Sequence, residues 1–193
     1  IDSTLIKLFD ENSISYVDYY LREELIVANA VPTAEGTMQI AMEELPRTIL
    51  GLNVLITGYG RLAKVLLKYF SALGAKVTIT ARKCADLTWA KIMGGNAIEL
   101  SKLDDHLREY DLIINTVPAM LFDKRLLSLL KRDALVIDLA SKPGGVDFEI
   151  AKATGIKTIW ALSLPGKVAP VTSGEIIADT ILNIITEEGG GDV

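Results

Sequence analysis

The sequence predicts an α/β protein built on a doubly wound parallel sheet, a Rossmann-type fold, with part of a second, smaller N-terminal lobe. Three observations lead there. From residue 50 onward, short apolar strands alternate with helical patterns. Those strands are near-continuous apolar runs, as expected where both faces of a sheet are covered. Finally, Gly58-Tyr59-Gly60-Arg61-Leu62-Ala63 directly follows the first strand and opens a helix, the setting in which a G-x-G-x-x-A turn approaches a dinucleotide.

Taken in order, residues 1–48 read as the remnant of an N-terminal lobe plus a linking helix. The pattern suggests a helix over Thr4–Phe9 and strands over Ile14–Asp18 and Leu25–Asn29. Thr33 then caps a helix that places Met38, Ala41, Met42 and Leu45 on one face and stops near Pro46. Residues 49–167 form the expected nucleotide-binding domain. Its strands are Leu52–Thr57, Lys76–Ala81, Asp111–Val117, Ala134–Ala140 and Lys157–Leu162, with Ala97–Leu100 weaker. Between the first two, Leu62, Val65, Leu66, Tyr69 and Leu73 recur at helical spacing and Gly74 supplies the stop. Residues 168–193 read as a C-terminal helix packing back toward the N-terminal lobe. Thr172 and Glu175 form its capping box, Val171 and Ile176 its staple, and Gly189–Gly191 a mobile tail.

Composition excludes several classes. In 193 residues half are hydrophobic and the net charge is -5, which supplies a core and argues against general nucleic-acid binding. No apolar run approaches the roughly 18–20 residues of a membrane span. Asp2, Lys7, Asp10 and Glu11 interrupt any signal peptide, and a chain that starts at Ile1 reads as a fragment or processed product. The single cysteine, Cys84, fits a reducing, cytoplasmic setting. One cysteine and one histidine make a zinc site improbable, and His106, in Asp104-Asp105-His106-Leu107-Arg108-Glu109, reads as a solvated residue rather than a hydride-transfer acid or base.

In the glycine turn, Gly58 allows the tight bend, Gly60 lets the backbone approach a pyrophosphate, and Ala63 permits close helix–strand packing. Tyr59, Arg61 and Leu62 complete the expected cofactor contact, where free N–H groups at the helix start meet phosphate. An NAD site usually carries an acid about 20 residues on. Here the second strand ends Ala81-Arg82-Lys83, with no acid before Asp86. Two cations suit a 2′-phosphate, so NADP is favoured over NAD.

Ligands of such sheets collect at the carboxyl ends of the strands, and three of those ends are chemically loaded. They are Asn115-Thr116-Val117-Pro118, the run from Asp138 through Leu139-Ala140-Ser141-Lys142-Pro143-Gly144-Gly145, and Leu164-Pro165-Gly166-Lys167. Lys142, Lys167 and the helix start at Thr172-Ser173 suit a carboxylate by charge and by helix N-terminus. Asp138, inside an apolar strand, reads equally as a proton acceptor or as a hydrogen-bond anchor.

Five segments then resemble the family of the dipicolinate synthase A subunit in collinear order. These are Asn29-Ala30-Val31-Pro32-Thr33-Ala34-Glu35-Gly36, the glycine turn, Asn115–Pro118, Asp138–Phe148 and Leu164–Pro170. The wider relatives are the two-lobed 2-hydroxy-acid and alanine dehydrogenases. The resemblance implies oxidation of dihydrodipicolinate to dipicolinate with NAD(P) in the mother cell of a spore-forming bacterium. It also implies a flavoprotein-like B subunit as partner, a homo-oligomer, and a longer N-terminal lobe. Under it, Asp138 and Lys142 are the catalytic candidates. Thr33, Glu35, Gly144, Gly145, Lys167, Thr172 and Ser173 would hold the dicarboxylate. Thr57, where an apolar residue is expected, and Leu62-Ala63, where relatives often have Thr-Gly, depart from the pattern. The alternatives are a dehydrogenase of another small carboxylate, or a silent NADP-binding subunit that needs a partner.

Overall fold

The computed structural model describes residues 3–189. Six parallel strands, β1 (Asn53–Thr57), β2 (Lys76–Ala81), β3 (Asn96–Glu99), β4 (Leu112–Asn115), β5 (Leu135–Asp138) and β6 (Lys157–Trp160), lie in the order β3-β2-β1-β4-β5-β6. This is the doubly wound order whose switch point falls between β1 and β4, and it bears out the predicted class. The register aligns Thr57 with both Thr80 and Asn115, and Asn115 with Asp138. The carboxyl ends of β1, β4 and β5 are therefore neighbours by construction.

Eight α-helices accompany the sheet among the described residues: α1 (Ser3–Glu11), α2 (Glu23–Glu44), α3 (Arg61–Ala72), α4 (Cys84–Ile92), α5 (Lys124–Leu127), α6 (Phe148–Thr154), α7 (Leu164–Val168) and α8 (Pro170–Gly189). Two apolar layers result. Val54, Ile56, Ile79, Leu112 and Ile137 face α2 and α3, while Leu55, Ile113 and Val136 face Phe122, Leu126 and Leu107 on the other side. Consecutive buried residues on one strand thus point to opposite layers, which is why the sequence shows unbroken apolar runs.

Several expectations at the ends are corrected. Leu25–Asn29 is not a strand, and Thr33 does not cap a helix: both lie within α2, a continuous 22-residue helix containing Pro32. Ile14–Asp18 has no strand partner. The physical reason lies in α2 itself, which is covered on two sides. Ala30, Ala34, Thr37 and Ala41 repeat at helical spacing on one face, while Leu25, Pro32 and Gly36 are buried on another. A Cβ at Gly36 would lie 3.1 Å from Val168 and 3.2 Å from Leu164, so α7 occupies that second side. With no single apolar stripe, and with Pro and Gly inside, the pattern mimics a break.

The stripe assigned to α3 is shifted as well. Ala63, Leu66, Leu67 and Phe70 are buried against the sheet, while Leu62, Val65 and Tyr69 are half-covered and Leu73 is exposed. At the C-terminal end, α8 already begins at Pro170, a residue suited to a first helical position because it has no N–H to satisfy. Thr172 is therefore inside the helix, the Thr172–Glu175 capping box does not form, and Val171 is exposed rather than stapled. Of the glycine run Gly189–Gly191, Gly189 closes α8 and the rest lies outside the described residues. Among the described residues, no helix is long and apolar enough to cross a membrane.

Candidate functional site

The carboxyl ends of β1, β4 and β5 are tied together by a buried polar chain. Thr57 Oγ1 donates to Asn115 Oδ1 at 2.6 Å, and Asn115 Nδ2 donates to Asp138 Oδ1 at 2.8 Å. Asp138 Oδ1 also accepts from the Ala140 amide at 3.1 Å, and Oδ2 accepts from the Gly145 amide at 2.8 Å. Thr57, Asn115 and Asp138 are all 0% exposed. A buried carboxylate requires such donors to offset its desolvation. Of the two readings open for Asp138, this geometry favours the anchor, since both oxygens are engaged and shut off from solvent. Thr57, the departure from the apolar pattern, is explained by the same chain.

That chain shapes the Ser141–Gly145 turn. Gly144 donates to Ser141 O at 2.8 Å and Gly145 to Asp138, so neither amide is free for a substrate carboxylate, contrary to expectation. Gly145 fits because a Cβ there would lie 2.2 Å from Asn115 Nδ2 and 2.8 Å from Val117 O. Lys142 and Ser141 are exposed, and the Lys142–Pro143 peptide is cis. Leu139 is half-buried and Ala140 buried, with the Trp160 indole N–H donating to Ala140 O at 3.0 Å. Asp147 caps α6 by accepting from Ile150 N at 3.0 Å, so the turn also sets the start of a helix.

Across the switch point, Gly58 has φ +89°, and a Cβ would meet Thr116 Oγ1 at 2.8 Å. Thr116 Oγ1 in turn donates to Thr57 O at 2.7 Å. Gly60 has open space where a Cβ would be, and it precedes α3 without any side-chain cap. The first turn of α3 therefore presents uncapped amides beside an open approach, which fits the diphosphate of a dinucleotide. A cleft of about 500 Å³ lies here, walled by the turn and by the first half of α2. Thr33, Gly60, Arg61, Leu62 and Thr116, all anticipated, line it. Among the described residues Arg61 is the one charged residue of the lining, with Glu23 3.6 Å from its Nε.

Other anticipated residues lie elsewhere. The Tyr59 ring turns to the opposite side of α3, with Lys64 Nζ 5.5 Å from its centroid. Burial and the charge of Asp86 push its phenol above the usual value. Arg82 and Lys83 are exposed just beyond buried Ala81, Lys83 preceding the first residue of α4. Val117 is half-buried and Pro118 exposed. Leu164 packs under Gly36, Pro165 is half-buried and Lys167 is exposed on α7. Glu35 borders a separate groove with Met38, Met42 and Tyr69. Thr172 is exposed, and Ser173 Oγ is committed to Ala169 O at 2.8 Å. Neither Lys142, Lys167, Glu35 nor Thr172 lines the cleft. His106 is half-buried, its Nδ1 2.9 Å from Glu109 Oε1.

Sequence reasoning missed Tyr20, Leu25, Ile26, Asn29 and Ala30 as cleft residues. Asn29 carries a signal: its Oδ1 is buried with no hydrogen-bond partner, and an asparagine amid alanines in a buried helix is costly unless used.

A family model described as Shikimate / quinate 5-dehydrogenase matches residues 39–160. Over 183 residues the chain is 37% identical to the dipicolinate synthase A subunit of Bacillus subtilis (strain 168), covering 95% of this chain and 58% of that protein. The crystal structure of the dipicolinate synthase A subunit from Bacillus halodurans superposes with a TM-score of 0.92 at 37% identity, covering 96% of this chain and 64% of the other. The A chain of dipicolinate synthase from Bacillus subtilis gives 0.96 at 34% identity, covering 100% and 64%. The resemblance carried by the sequence segments is thereby borne out, and the chain spans 58% to 64% of the length of these relatives.

Proposed function

The chain belongs to the shikimate/quinate 5-dehydrogenase family, and from that premise we propose that it is the nucleotide-binding part of a dehydrogenase resembling the A subunit of dipicolinate synthase. In this reading it oxidises dihydrodipicolinate to dipicolinate with NADP, or less readily NAD, beside a flavoprotein-like second subunit. The observation that carries the proposal is the cleft between the uncapped start of α3 and the first half of α2.

A nicotinamide dinucleotide held here would supply the hydride acceptor for the dihydropyridine ring, whose aromatisation would provide the driving force. The protein itself has to hold and orient. The backbone from Gly58 to Ala63 would hold the diphosphate, and the exposed Arg82 and Lys83 would meet a 2′-phosphate. Arg61 would pair with one substrate carboxylate and the Asn29 amide would donate beside it, while the Thr33 and Thr116 hydroxyls, whose protons are spent on Asn29 O and Thr57 O, only line the cleft. The Thr57–Asn115–Asp138–Gly145 chain keeps the strand ends rigid under both ligands. Among the described residues neither a carboxylate nor a histidine lines the cleft, and in this reading the substrate proton leaves to water. That same lack favours a second reading, a subunit that binds cofactor and turns over only with its partner.

The test incubates the chain, and a longer chain of relatives' length, with dihydrodipicolinate and NADP, with and without the second subunit. Reduced-nicotinamide absorbance is followed. Absorbance growth by the longer chain alone supports the enzyme, growth only with the partner supports the second reading, and no growth in any arm overturns both. Arg61→Met is expected to raise the apparent KM for the dicarboxylate about tenfold, the loss of one charge-assisted pair. Lys142→Met and Lys167→Met should leave it within about twofold, and the reverse pattern would restore the lysine clamp. A double change Arg82→Ser, Lys83→Ser should weaken NADP about tenfold and leave NAD within about twofold, read by titration of each cofactor.

A further inference from the structure

We propose that the cavity between α3 and α4 is a second ligand site, selective for a small anion with a flat apolar body. It does not depend on the catalytic reading above. The cavity, about 550 Å³, is in the size range of small-molecule sites. Leu67 and the ring of Tyr59 form its apolar floor, and Trp89 and Met93 its opposite edge. Trp89 is 58% exposed and Met93 57%. Large apolar groups left in water along a concave surface gain by covering a flat ligand.

Charge selects the ligand further. The formally charged residues in the lining are Lys64 and Lys68, both cationic and one helical turn apart. Like charges at that spacing repel, and among the described residues neither lysine has an ion-pair partner within 4.0 Å. Lys64 rests over the Tyr59 ring, its Nζ 5.5 Å from the centroid, which leaves its charge at the cavity mouth. A carboxylate or sulfonate between the two ammonium groups would relieve the repulsion, whereas a cation would add to it.

Ser71 is a third, independent sign. Thr33, Thr37, Ser173 and Thr180, also inside helices, each donate their hydroxyl to the carbonyl four residues earlier. Ser71 lines the cavity, and its hydroxyl is shut off from water without any hydrogen-bond partner. A hydroxyl so placed is costly, and a ligand that parts the cavity wall over it would complete it.

Isothermal titration with 1-naphthoate, and with neutral 1-naphthalenemethanol as control, tests the site on the whole chain. The expected result is one site that prefers the acid about fivefold, the scale of exposed ion pairs. Lys68→Glu should weaken the acid about fivefold and leave the alcohol within about twofold. Ser71→Leu should weaken both by filling the floor. If that variant fails to fold by circular dichroism, Trp89→Ala, at an exposed residue, must weaken both instead. Saturating NADP should leave the naphthoate isotherm unchanged. Equal binding of acid and alcohol, indifference to Lys68→Glu, loss of the isotherm with NADP, or no heat up to millimolar ligand would each overturn the proposal.

Discussion

Asp138 and Gly145 illustrate how single residues hold this site. The carboxylate accepts three hydrogen bonds while fully buried, so removing it orphans donors rather than merely losing contacts. Asp138→Ala is expected to cost about 3 kcal/mol or more, since each buried unsatisfied group costs about 1–3 kcal/mol. Asp138→Asn places an amide donor against N–H donors and should cost about 1–3 kcal/mol by the same accounting. Urea unfolding measures both, and a wild-type midpoint in Asp138→Ala would refute the anchor role. Gly145→Ala is the companion case: the new Cβ would press on Asn115 Nδ2 and the carbonyls of Val117 and Ala119, and overpacking of this kind costs about 1–3 kcal/mol. At this scale the sequence is half legible. Apolar neighbours mark Asp138 as unusual, but only the register of β4 against β5 brings Asn115 beside it. That the amides of Gly144 and Gly145 are spent is invisible in the sequence, because only the folded turn brings them onto Ser141 O and Asp138 Oδ2.

Elements are legible in proportion to how one-sided their environment is. The sequence delimits Lys76–Ala81 to its ends and locates every strand of the sheet, because short apolar runs between glycines and charges suit buried strands better than any longer element. α2 escapes such a reading because its two buried faces erase the period, and only the helix packed beyond Gly36 accounts for the second one. α8 makes the opposite case. Ser173, Thr180 and Ile184 are buried, while Val171, Ile181, Leu182 and Ile185 are exposed on its other side. Replacing Leu182 and Ile185 with Glu should therefore shift folding stability by about 0.5 kcal/mol or less each, the range of surface positions. The same change should reduce concentration-dependent light scattering, since an exposed apolar stripe promotes association. A loss of several degrees in Tm would mean that the stripe is covered within the folded chain.

The whole sheet is fastened at both ends, by different chemistry. At the carboxyl ends the fastening is the Thr57–Asn115–Asp138 chain; at the amino ends it is Asp111, whose Oδ2 accepts from the Asn53 amide at 3.1 Å and whose Oδ1 meets Lys131 Nζ at 2.7 Å. Burial pushes the Asp111 carboxyl up, but the Lys131 ammonium and the Asn53 amide outweigh it and hold the carboxyl below its ordinary value of 3.8. A depressed folded pKa means that the unfolded chain binds the proton first. The stabilisation is thus fully present above about pH 4, near the unfolded value, and is lost as pH falls through the lower folded value. Asp111→Asn removes the titration and the charge on Lys131's partner. It should lower stability by about 1.5–3 kcal/mol at pH 7, the range for a hydrogen bond to a charged group. Between pH 4 and pH 2 the difference from wild type should shrink, because protonation does to wild type what the substitution has already done. Urea unfolding of both proteins across that range decides it. A gap that stays constant down to pH 2 would show that the Asp111 lock contributes shape to the sheet rather than charge.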